Sequence, residues 1–114
     1  MIRVAIMRHC RPGQENRLEG LLKDLRASCM RHPGYISGET LVNMNDPTTY
    51  LVIGTWTRLE AWKTWENCQE RQELLQIVSS CLLDEPVVEV YNFAGEESGN
   101  TEYNIPAISA MTYQ

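Results

Sequence analysis

Few side chains in this sequence are suited to chemistry. His9 and His32 are the only groups that titrate near neutral pH. His9 closes an alternating apolar run, where a central strand would carry it to the mouth of a cleft and let it move a proton. His32 directly precedes Pro33, a helix-end position where histidine ordinarily hydrogen-bonds the last carbonyls. Glu39 falls inside a predicted strand with Tyr35 and Ser37 on its face. Buried, its carboxyl would rise in pKa and act as a general base; on the rim it would form an ion pair. The tryptophans Trp56, Trp62 and Trp65 gather at one strand-to-helix corner, enough ring surface to wall an apolar cleft. His9 and Glu39 are the candidate proton acceptors, with a solvated loop-edge histidine the alternative for His9; the three tryptophans are either core packing or the candidate substrate-binding residues.

Cys10, Cys29, Cys68 and Cys81 form no C-x-x-C pair, and neither they nor the histidines have metal-ligand spacing. No metal site is expected. Cys29 and Cys81 fall on apolar helix faces and read as small core residues, so reduced thiols and a cytoplasmic location are expected. The net charge of −5 repels polyanions, which excludes nucleic acid and anionic membrane as natural partners. No apolar run reaches the ~18 residues of a membrane span, and the N-terminus carries no signal-peptide pattern. A length of 114 residues suits one domain.

The elements that must position these residues follow from periodicity. Met1–His9 alternates with period two, Ile2, Val4 and Ile6 against Arg3, Ala5 and Met7, and predicts a strand. Beyond Arg11-Pro12-Gly13 the period becomes helical, with Leu18, Leu21, Leu22, Leu25 and Cys29 in one stripe. Pro33 ends that helix. Tyr35–Met44 and Tyr50–Trp56 are predicted strands joined by a turn at Asn45-Asp46-Pro47. Thr57 and Glu60 form a capping-box pattern for a helix from Arg58 to about Glu66, and Asn67 is positioned to cap a further helix. The stripe of that further helix is Leu74, Ile77, Val78, Cys81 and Leu82, and Val87–Phe93 is a last strand.

Two β-α-β units in this order wind into a four-stranded antiparallel sheet with helices on one face, the ferredoxin-like α+β arrangement. Its other face retains apolar side chains and no further layer. A homodimer, two such faces packed together, is the expected solution.

The segments Pro33-Gly34-Tyr35-Ile36-Ser37-Gly38-Glu39-Thr40, Tyr50-Leu51-Val52-Ile53-Gly54-Thr55-Trp56 and Leu59-Glu60-Ala61-Trp62 resemble the antibiotic biosynthesis monooxygenase family over about Met1–Phe93. The resemblance implies a dimeric α+β barrel and, among the family's activities, oxygenation of a quinol-type aromatic without a cofactor. It matches Trp56 to a tryptophan that lines the substrate cleft of the quinone-forming members, with Trp62 standing where those members carry Tyr, and matches Trp65 to the helix tryptophan of the heme-degrading members. Val52 stands where the quinone-forming members carry Asn. Leu75 stands where the heme-degrading members carry an axial His, and Met7 and Arg8 where those members carry Asn. A non-catalytic dimer holding a small hydrophobic or aromatic ligand is the alternative. In either case Trp62 is expected to be only partly covered. Residues 1–93 form the domain; 94–114 are an extension whose Ile105, Ile108 and Met111 suggest an arm lying on a partner subunit.

Overall fold

A computed structural model describes residues 1–95. Its elements run β1 (Ile2–His9), α1 (Glu15–Cys29), β2 (Tyr35–Val42), β3 (Thr49–Trp56), α2 (Leu59–Glu66), α3 (Gln69–Ser79) and β4 (Val87–Asn92). The strands form one sheet in the order β2-β3-β1-β4, with every neighbouring pair antiparallel. This is the predicted ferredoxin-like α+β fold, and the two most apolar strands, β1 and β3, occupy its centre.

Register assigns each side chain to a face. Ile2, Val4, Ile6 and Arg8 pair with Trp56, Gly54, Val52 and Tyr50, and this row lies beneath the helices. Leu18, Leu22, Leu25 and Cys29 of α1 close over it, joined by Trp62, Trp65 and Val78. Burying each large aliphatic or aromatic side chain in such a layer contributes ~1.5–3 kcal/mol, which makes this face the main source of stability. The α3 stripe departs from expectation. Ile77 is exposed, and Arg71 takes a buried place on the helix face shared with Leu74 and Val78.

The corner after β3 is built on the backbone. Thr57 N–H donates to the Gly34 carbonyl at 2.8 Å, which ties the start of β2 to the end of β3. Gly34 has φ +92°, and a Cβ there would lie 2.5 Å from Ala61 Cβ and 2.9 Å from Thr57 Oγ1. Only glycine allows this approach. With Thr57 held against Gly34, the predicted capping box does not form: Arg58 is the N-cap, in extended conformation and without a side-chain cap bond. Asn67 likewise ends α2 instead of starting α3, its Nδ2 donating to the Lys63 carbonyl at 2.9 Å. The last carbonyls of α2 need partners before a new helix can begin.

The helix-free face carries Met7, Leu41, Val87 and Tyr91 exposed, with half-buried Leu51 and Ile53 between them. No helix among the described residues is long and apolar enough to cross a membrane. Apart from Ala94 and Gly95, the expected arm of 94–114 lies outside the described residues.

Candidate functional site

The buried side of the sheet is not filled from edge to edge. Gly38 of β2 and Gly54 of β3 face each other in register, with Val4 of β1 next in the row. Two adjacent positions without side chains leave a hollow in the sheet surface. Leu22, Leu25 and Cys29 of α1, Trp62 and Trp65 of α2 and Arg71 of α3 roof it. The resulting cleft has a cavity volume of about 70 Å³ and opens to solvent on one side. A Cβ on Gly38 would lie 2.6 Å from the Tyr35 hydroxyl oxygen, so that ring leans directly over the glycine.

One wall is aromatic. Tyr35 meets Trp56 edge-on at 5.4 Å between centroids, and Trp56 meets Trp62 at 6.0 Å and 65°. His32 packs edge-on against Trp65 at 4.8 Å, so this histidine supports a tryptophan. Such offset and T-shaped contacts hold rings in defined positions, with about 0.5–1.5 kcal/mol each beyond their burial.

The other feature of the cleft is positive charge. Arg8 follows Ile2, Val4 and Ile6 on the inward parity of β1 and is 2% exposed. Its Nε has no hydrogen-bond partner, and among the described residues no carboxylate pairs with it. Burial, and then the nearby Arg71, lower its pKa to about 10, so it still carries its charge at neutral pH. Arg71 is also buried. Its Nη1 donates to the Glu66 carbonyl at 3.3 Å, and its guanidinium lies 5.2 Å from the Trp62 ring centroid. The C-terminal end of α2 and the face of Trp62 thus hold Arg71 in place. The Trp62 indole Nε1 is buried without an acceptor. Arg26 of α1 adds a third guanidinium to the lining.

The predicted residues are divided by this geometry. Trp56, Trp62 and Trp65 all border the cleft. Trp62 is 2% exposed, not partly covered as expected, because Trp56, Arg71 and the hollow's edge enclose it. Glu39 borders the cleft along β2, but its carboxylate is exposed and lies 3.5 Å from Arg3 Nη2 on the helix-free face. His9 is outside the cleft lining; its Nδ1 lies 3.1 Å from Asp84 Oδ1. Burial pushes the Cys29 thiol up to about 12, leaving it a protonated wall residue. Among the described residues, no three His, Cys, Asp or Glu side chains come together as a metal site.

Sequence reasoning passed over Arg8 and Arg71, although the signal was present. Arg8 continues the parity of Ile2, Val4 and Ile6, and Arg71 continues the helical spacing of Leu74 and Val78. A charged residue in step with a buried stripe is a candidate site residue.

Comparisons with known proteins agree with this architecture. A conserved protein from Methanosarcina mazei Go1 superposes with a TM-score of 0.75 at 19% identity, over 80% of this chain and 90% of that one. SnoaB, a cofactor-independent oxygenase from Streptomyces nogalater, superposes with a TM-score of 0.73 at 14% identity, over 84% of this chain and 96% of that one. Rv0793 from Mycobacterium tuberculosis gives 0.74 at 15% identity, over 85% and 98%. At these identities the likeness concerns the fold. No curated protein sequence matches the chain. The profile of the antibiotic biosynthesis monooxygenase family matches residues 1–76, and the chain belongs to that family.

Proposed function

We propose that this protein is a monooxygenase that works without a cofactor on a small, electron-rich aromatic compound of the quinol type. The observation that carries the reading is the tryptophan-walled cleft over the Gly38–Gly54 hollow, open at one side and within the family-matched part of the chain. Its lining is mostly apolar with a few fixed polar groups, the usual make-up of a small-molecule site.

In the reaction proposed, a ring CH₂ (or its phenol tautomer) loses a proton to water at the open mouth of the cleft, and the resulting carbanion gives its electrons to O₂. One oxygen atom becomes the new ring carbonyl and the other leaves as water, with both ring hydrogens removed. The substrate supplies all four electrons, so the balance requires no outside reductant. The guanidinium-rich lining favours the substrate anion over its neutral parent. Trp56, Trp62 and Trp65 hold the ring, and in this reading neither His9 nor Glu39 needs to reach it.

A second reading, a non-catalytic dimer that holds a small aromatic ligand, is favoured by one observation: no imidazole or carboxylate side chain points into the cleft among the described residues. In both readings the helix-free face is covered by a second copy, giving a dimeric α+β barrel. The exposed Met7, Leu41, Val87 and Tyr91 support that pairing.

The test is an oxygen-uptake screen of quinols and polyphenols on the full chain, followed by ¹⁸O₂ labelling of any product. One labelled carbonyl oxygen per turnover is expected. Binding without uptake across the screen would replace the oxygenase with the ligand-binding module.

A further inference from the structure

Donors and acceptors in the cleft do not balance. Arg8 is buried with its Nε unpartnered, and the Trp62 Nε1 is buried without an acceptor. Arg8 and Trp62 both line the same cleft, and Arg71 adds a second buried guanidinium to that lining. Buried polar groups in folded proteins are nearly always satisfied, and an unpaired buried charge is among the costliest departures. The chain as a whole is acidic, at −5, yet it places positive groups here and keeps the Glu39 carboxylate on the opposite face. The missing partner is an acceptor that carries negative charge.

We propose that the cleft recognises a carboxylate on its ligand, held by Arg8 and the Trp62 N–H, so that the substrate is an aromatic carboxylate. This rests on the oxygenase reading only for the word substrate; the recognition itself needs no turnover. A carboxylate fits better than the other anions. Its two oxygens match the planar guanidinium fork and leave a lone pair for the indole. It is ionised at neutral pH without any base, and the cleft offers none. A phosphate is bulkier and doubly charged, and the tryptophan wall gives it nothing to stack on. The rest of the ligand is planar and aromatic because Trp56 and Trp62 present their rings to the same space.

The experiment uses two probes of nearly equal shape, 2-naphthoate and neutral 2-naphthamide. Binding to the full chain is followed by calorimetry and tryptophan fluorescence in the absence of oxygen. Naphthoate is expected to bind about tenfold tighter or more, the scale of a hydrogen bond to a charged group. Arg8→Met should reduce that preference to about twofold or less, mainly through weaker naphthoate binding. Trp62→Phe keeps a ring and should reduce the preference without abolishing it. Equal affinity for the two probes in the wild-type protein, or a preference that survives Arg8→Met, overturns the proposal. Should Arg8→Met yield no folded protein, the wild-type comparison decides alone. Naphthoate preference without oxygen uptake from any aromatic sinks the oxygenase reading and keeps this one. Oxidation of neutral quinols with indifference to the probes does the reverse.

Discussion

Replacing Gly34 by alanine tests the corner on which the cleft depends. Two costs arise at that position. An L-residue forced to φ +92° pays the left-handed penalty, about 1–2 kcal/mol. The new methyl would also lie 2.5 Å from Ala61 Cβ, against the roughly 3.5–4.0 Å of a comfortable carbon contact. Ala61 Cβ is fixed to the α2 backbone and cannot rotate away, so the helix must move. Overpacking of this kind costs about 1–3 kcal/mol. The sum is about 2–5 kcal/mol, and even its lower end lowers the melting temperature by roughly 8–16 °C for a domain of this size. Gly20→Ala is the matched control. Gly20 lies inside α1, and a Cβ there meets nothing within 4 Å, so the same substitution should stabilise by about 0.5–1 kcal/mol. Urea denaturation followed by circular dichroism measures both. A Gly34→Ala protein as stable as wild type to within about 0.5 kcal/mol, or two variants shifting in the same direction, would refute this account of the corner.

Trp62→Ala should cost ~3–5 kcal/mol, as for a fully packed aromatic, together with loss of ligand binding; a cost under ~1 kcal/mol would mean that Trp62 is not part of the core. Sedimentation equilibrium should give ~26 kDa, twice the 13.1 kDa chain, if the helix-free face is a two-fold interface; a monomer with intact secondary structure would remove the barrel. Hydrogen bonds from Thr48 and Thr49 hold the Asp46 carboxyl below its ordinary 3.8, so its contribution to stability is complete above that value and is lost as pH falls through the lower folded one. Asp46→Asn should therefore flatten the acid limb of the stability curve below pH 3.8, and an unchanged limb would contradict the assignment.

The strands and helices were legible because their signals are local. Ile2, Val4 and Ile6 announce a two-residue period within one short run, and Leu18, Leu22 and Leu25 a helical one, so burial on one side follows from spacing alone. The central place of β1 and β3 belongs to the ferredoxin-like topology, and their apolar character agrees with it. The same parity already placed Arg8 on the inward face with Ile2, Val4 and Ile6, opposite to His9. The cleft itself was not in any local pattern. Gly38 and Gly54 make a hollow only because register sets them side by side, and that alignment is a property of two paired strands, not of either alone. The capping roles of Thr57 and Asn67 were likewise decided by distant partners, the Gly34 backbone in one case and the open end of α2 in the other. His9 and Glu39 had the right chemistry, but where a side chain stands relative to a cavity depends on which elements close over which face. Here the helices closed over Arg8 and left Glu39 outside, because the inward parity carries the apolar residues that burial favours and Glu39 lies on the other.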